Sequence, residues 1–164
     1  MQAHRRTVWH DMNEQASEEK VVVTNRKAFH EYFIMETYEA GVALKGTEVK
    51  SLRAGQGNLQ DAYAMVNNGE VWLIGMHISP FEKGNINNHE PKRDRKLLLH
   101  KGEIRKIVGT ISKKGLTLIP LKVYFKHSVA KIELGVARGK KSFDKREAIR
   151  KREVDRELRR KYAQ

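Results

Sequence analysis

The sequence predicts a mainly β fold, a small antiparallel barrel over residues 24–138 followed by a basic C-terminal tail over residues 139–164. Three observations lead there. Strand-like runs close in pairs on tight-turn signals, the helical patterns are few and short, and the composition changes abruptly at Gly139. With 164 residues the chain is long enough for one core and an appended arm. A barrel is preferred to a sandwich because closure removes the sheet edges that about six short strands would otherwise expose.

Residues 1–23 mix His4, Arg5 and Arg6 with acidic residues from Glu14 to Glu19, show no sustained period, and read as a flexible leader that leaves Trp9 without a role. From Glu31 the run EYFIMETYEAGVALKG carries Tyr32, Ile34, Val42 and Leu44 in period-two fragments, as a long strand bent near Ala40 and Gly41 would. A short helix follows, with Thr47 as its N-cap, Glu48 at its positive end, Val49 and Leu52 on one face and Gly55 closing it. AYAMV and VWLIGMHI then flank Asn67-Asn68-Gly69, whose Asn-Gly suits the positive φ of a two-residue hairpin turn.

Residues 79–96 hold two prolines and several asparagines and read as a long surface loop. Ile104, Ile107, Val108 and Ile111 fall on the inward stripe of an amphipathic helix that Lys113-Lys114-Gly115 ends. LTLIPLKVYF and VAKIELGVA make a second hairpin around Lys126 to Ser128, with Ile132, Leu134 and Val136 on one face and Lys131 and Glu133 on the other. Pro120 belongs at an edge or a bulge, because it has no N–H to give the ladder.

The tail holds eleven Lys or Arg against five Asp or Glu, and its large apolar residues are Phe143, Ile149, Val154, Leu158 and Tyr162. That is too little for a core. Val154, Leu158 and Tyr162 share a narrow stripe, so the expectation is an arm disordered on its own and helical from about Ala148 to Tyr162 only against a partner.

Charge selects the partner. Thirty-three Lys plus Arg face 20 Asp plus Glu, a net of +13, and a field of that sign draws polyanions. No run approaches the apolar length of a spanning helix and the N-terminus has no signal-peptide core, so a cytoplasmic location without a membrane partner is expected. The absence of cysteine excludes disulfides, thiolate catalysis and Cys-based zinc sites. The seven histidines show no close ligand spacing, and neither a metal nor a cofactor is expected. No nucleophile elbow, P-loop or dinucleotide fingerprint occurs, Gly55 and Gly57 read as turn glycines, and Ser51 and Ser112 have no neighbouring base. The protein is therefore expected not to be an enzyme, with a metal-dependent RNA nuclease as the alternative from that class.

Cations interleaved with flat side chains are the pattern of an RNA surface, where phosphates are tracked and bases stack. The candidates are Asn25, Arg26, Lys27 and His30, then Lys50 and Arg53, then Lys92 to Lys96 including Arg95, then Lys122 with Tyr124, and Lys131.

NRKAFHEYFI, YEAGVALKGTEVKSLRAGQGNLQDAYA, RDRKLLLH and KIELGVARGKKSFDKRE resemble, in order, the SmpB family of SsrA-binding proteins. The resemblance covers roughly residues 24–160 and implies an OB-type β-barrel with two or three flanking helices. It further implies a non-enzyme that binds the tRNA-like domain of tmRNA and delivers it to stalled ribosomes for trans-translation. Elongation factor Tu would be met indirectly, through aminoacylated tmRNA. By motif, Glu39, Leu98 and Lys131 take positions tied to tmRNA binding. Gly139, Lys140, Lys141, Asp144, Lys145 and Arg146 take the segment that addresses the decoding centre and mRNA channel of the small subunit, and Arg150, Lys151 and Arg152 continue its charge. Two positions depart from the family pattern: His100 stands where Asn is common, and Phe143 where His or Tyr is, which leaves Phe143 able to stack but not to donate a hydrogen bond. A ribosomal protein or general RNA-binding barrel with a basic extension is the alternative reading.

Overall fold

The computed structural model describes residues 19–112 and 115–163, except the side chains of residues 84–86, 142 and 143. Strands β1 (Lys20–Thr24), β2 (Tyr32–Val42), β3 (Gly57–Asn58), β4 (Tyr63–Asn67), β5 (Glu70–Ile74), β6 (His77–Ile78), β7 (Arg95–Leu98), β8 (Leu116–Lys126) and β9 (Val129–Gly139) are joined by four helices. These are α1 (Arg26–Glu31), α2 (Gly46–Arg53), α3 (Lys101–Ile111) and α4 (Ser142–Tyr162). The order β8-β4-β5-β7-β2-β9 returns to β8 through the β8–β9 pairing, which closes an antiparallel barrel; β1 adds to β8, and β3 pairs with β6 separately. The barrel is the predicted one and its closed circuit has the expected six strands, with β1, β3 and β6 beyond it, but the strands are not all short, since β2, β8 and β9 each run eleven residues.

Both hairpins follow from turn chemistry. Asn68 and Gly69 have φ of 51° and 73° between the paired residues Asn67 and Glu70. His127 and Ser128, at 49° and 63°, do the same between Lys126 and Val129. Two consecutive positive φ values define the tight turn whose twist matches the strands it joins.

Pro120 sits at a bulge, since the β8–β9 register shifts between Pro120 and Lys122. The carbonyls around the bulge are taken by Asn25, whose Nδ2 donates to Pro120 O at 2.9 Å and whose backbone N–H donates to Leu121 O at 2.8 Å. Its Oδ1 accepts from the Ala28 N–H at 3.2 Å and caps α1, a helix the sequence reading did not foresee. Ala28 packs with Ile119, Leu121 and Ala137 on the outside of the barrel, while Leu118, Val123, Ile132, Leu134 and Val136 fill the inside. Burial on both faces is why β8 reads as a continuous apolar run.

Several expectations are corrected. The leader does not extend through Val23, because Lys20–Thr24 pair with β8 from Lys122 to Phe125; Trp9 and the rest of the leader lie outside the described residues. Gly57 is not a turn glycine: it lies in β3, where an added Cβ would come 2.8 Å from Leu52 Cδ2. Residues 79–96 contain a 3-10 turn (Glu82–Asn87) and the first residues of β7. The tail helix spans Ser142–Tyr162 and so begins before Ala148, with Asp144 accepting from the Lys141 N–H at 3.2 Å at its start. Gly139 still belongs to β9, opposite Tyr32. In α3 the stripe holds for Ile104, Ile107 and Ile111, whereas Val108 is exposed.

The N-cap of α2 is Lys45, not Thr47, whose hydroxyl instead pairs with Nδ1 of buried His89. Glu48 turns inward. Its carboxylate is fully buried, accepts from the Lys45 N–H at 2.8 Å, and meets Arg93 at 2.6 Å and Arg95 at 2.8 Å. Arg95, equally buried, also donates to Met76 O, Arg93 O and Pro91 O. Burial pushes Glu48 upward, yet the bonds from Arg93, the Lys45 N–H and Arg95 outweigh it and hold the carboxyl below the usual range. Glu48→Gln would strand the buried Arg95 charge, so a stability loss of about 3–5 kcal/mol is expected from denaturant titration. A loss near zero would show that the barrel closes without this network.

Candidate nucleic-acid interface

Register builds one continuous row across four strands. Gly41 on β2 faces Leu98 on β7 and Lys131 on β9, and Lys131 faces Tyr124 on β8. Directly paired residues project to the same side of a sheet, so residues distant in sequence share one face. Leu98 is 54% exposed there. Gly41 keeps the floor beside it low, because a Cβ would approach Leu98 Cβ to 3.3 Å.

Glu39, two residues before Gly41, lies on this face among cations. Its carboxylate accepts the Tyr124 hydroxyl and lies 3.7 Å from Lys126 Nζ and 3.9 Å from Lys131 Nζ. Lys122 Nζ stands 4.9 Å from the Tyr124 ring centroid. The face therefore offers three ammonium groups for phosphates, an apolar side chain for a ribose or base, and the carboxylates of Glu39 and of Glu133, its directly paired neighbour, able to accept from a 2′-hydroxyl or a base amino group. Lys126, not among the sequence candidates, was legible in the alternation Lys122, Tyr124, Lys126.

Other candidates part company. Asn25 and Arg95 are buried with their polar atoms committed to the fold, which removes them from the surface. Tyr124 is 3% exposed, so it orders Glu39 rather than offering a ring to a base. Arg26, Lys27 and His30 sit on α1, where Lys27 pairs with Asp61 at 2.8 Å. Lys50 and Arg53 sit on α2, within 5.5 Å of the Phe81 ring and 5.4 Å of the Phe125 ring respectively. Lys96 pairs with Glu70 at 2.8 Å. In the tail, Lys145, Arg146, Arg150, Lys151 and Arg152 lie on α4, and the Phe143 side chain lies outside the described residues. Among the described residues no group of three His, Asp or Glu is placed to hold a metal, and no helix is long and apolar enough to cross a membrane.

The Tyr124 hydroxyl, aided by Lys126 and Lys131, holds the Glu39 carboxyl below the usual carboxylate range against partial burial, while burial and the same bond push the phenol up. A depressed folded-state value means stability that is present above the unfolded value and lost as pH falls through the folded one. Tyr124→Phe removes the largest cause. The Glu39 carboxyl midpoint, followed by carbon NMR, should then rise toward the ordinary value, and the stability gap between the two proteins should shrink as pH drops below it. An unmoved midpoint would assign the shift to the lysines instead.

Comparison with known proteins identifies the family. The family model described as SmpB protein matches residues 22–164. An SsrA-binding protein of Desulforudis audaxviator is 64% identical over 140 residues, 85% of this chain and 92% of that relative. One from Carboxydothermus hydrogenoformans is 61% identical over 85% of this chain and 94% of its own. One from Caldanaerobacter subterraneus is 58% identical over 92% of this chain and 96% of its own. A solved chain from "tmRNA-SmpB: a journey to the center of the bacterial ribosome" is 53% identical, covers 78% of this chain and 94% of that one, and superposes with a TM-score of 0.64. Matches this long, on a barrel whose register gathers Glu39, Leu98 and Lys131 onto one face, show that the chain belongs to the SmpB family.

Proposed function

We propose that the protein binds the tRNA-like domain of tmRNA through the face carrying Glu39, Leu98, Lys122, Lys126 and Lys131, and delivers it to stalled ribosomes for trans-translation. The observation that carries this reading is the match to an SsrA-binding protein at 64% identity over 92% of that relative. The charged row across β2, β7, β8 and β9 supports it with a surface whose chemistry fits RNA. The barrel holds the RNA and α4, with its cations exposed, enters the mRNA channel of the small subunit where message is missing. The protein performs no chemical step in this scheme, and elongation factor Tu is met through aminoacylated tmRNA.

RNA copurifying with the intact protein from its own cells tests the reading against a ribosomal-protein role. One abundant tRNA-like species is expected. Stoichiometric presence in every ribosome would overturn it.

Lys131→Gln should weaken tmRNA binding and reduce the salt slope of log affinity by about 1 while the barrel stays folded, because it removes one ammonium group from the outer face without adding a further carboxylate beside Glu39. An unchanged salt titration would place the RNA on the α1 and α2 cations instead.

Truncation after Lys141 keeps the Lys140 bonds to the barrel and removes α4. It should leave tmRNA affinity nearly intact and abolish peptide tagging on stalled ribosomes. Phe143→Ala should give a milder form of that defect, about one stacking contact or 1–3 kcal/mol at the decoding step. Normal tagging by the truncated protein would end the assignment of α4.

A further inference from the structure

The root of α4 is gripped by contacts that the RNA-binding face does not use. Arg138 lies across from Phe33 in the β2–β9 register, and its guanidinium carbon stands 5.3 Å from the Phe33 ring centroid. Lys140 Nζ stands 5.0 Å from the same centroid and donates to Phe29 O at 3.3 Å. The Lys140 backbone N–H donates to Glu31 O at 2.8 Å. Phe33 is 37% exposed and belongs to neither apolar cluster. It walls a groove of about 550 Å³ whose other side is α4, at Glu147, Ala148, Lys151 and Val154.

A half-exposed ring that serves no core, held by two cations where the chain leaves the sheet, acts on direction rather than on stability. We propose that Phe33, with Arg138 and Lys140, is a positioning residue that sets the angle at which α4 leaves the barrel. The lever arm makes this matter: a helix of 21 residues is about 30 Å long, so an error of about 20° at the root moves its tip by about 10 Å, more than the width of a base. A loosely hinged tail would reach a narrow channel in few of its orientations, whereas a braced one arrives aligned relative to the RNA the barrel carries. The functional half of this inference rests on the reading of α4 as the ribosome-entering element; the geometric half does not.

The chain has no cysteine, so Asn67→Cys with Glu153→Cys gives a single pair of spin-label sites spanning barrel and tail in the full-length protein. A narrow distance distribution is expected in the parent, at least twofold broader in Phe33→Ala, and parent-like again in Phe33→Tyr, which keeps the ring. Arg138→Gln with Lys140→Gln removes the cations and leaves the strand intact, so it should broaden the distribution as well and decides the matter alone if Phe33→Ala does not fold. A parent distribution as broad as that of the variants, or variants as narrow as the parent, overturns the brace. In tagging assays Phe33→Ala should act about tenfold more slowly at unchanged tmRNA affinity. Widths that respond while tagging does not would overturn the reading of α4 and leave the brace standing.

Discussion

The buried carboxylate of Glu48 is the interaction on which the rest of the structure depends. β2 and β7 share only the pairs Gly41–Leu98 and Val42–Leu97, the shortest seam in the circuit apart from that between β4 and β8. Glu48 reinforces that seam from beneath. One carboxylate takes the Lys45 N–H at the start of α2, Arg93 before β7 and Arg95 in it, and Arg93 also reaches Ala43 O just past β2. Buried charges of this kind are tolerable only when each proton and lone pair is met, and Arg95 meets that demand with three backbone carbonyls. Leu98, three residues after Arg95, is thereby held beside Gly41. The face proposed to bind RNA is thus a consequence of a salt bridge on the other side of the wall.

A second constraint acts on β8. Proline in a central strand removes a ladder hydrogen bond, and the bulge that absorbs it frees carbonyls that must find other donors. Asn25 supplies them, which ties α1 to the outside of the barrel and fixes where Lys27 and His30 emerge. Asn25, Arg95 and Tyr124 look in sequence like members of basic and aromatic clusters. The fold consumes all three: Asn25 and Arg95 satisfy groups that would otherwise be buried without a partner, and Tyr124, itself buried, gives its hydroxyl to Glu39.

Barrel and tail follow different physics. The barrel buries a continuous apolar cluster, whereas the large apolar side chains of α4 among the described residues, Ile149, Val154, Leu158 and Tyr162, are all exposed. A helix with so narrow a stripe gains little from packing, so its attachment falls to the few contacts at Lys140, Arg138 and Phe33. Its charge stays in solvent, free to displace counterions from RNA.

The sequence by itself determined the local and periodic features: both tight hairpins from Asn68-Gly69 and the Lys126 to Ser128 turn, the core face of β9 from Ile132, Leu134 and Val136, and the stripe of α3. It also carried the family, through long matching segments, and the sign of the partner, through net charge. These are readable because turn geometry and side-chain alternation depend on residues within a few positions of one another. Only the tertiary structure decided that β1 belongs to the sheet, that Glu48 faces Arg95 forty-seven residues away, and that Tyr124 orders Glu39 from eighty-five residues away. The register of strands far apart in the chain is set by barrel closure and by the pairing of buried polar groups, and neither leaves a local signal. The same closure decided which of the many cations stand together on one face.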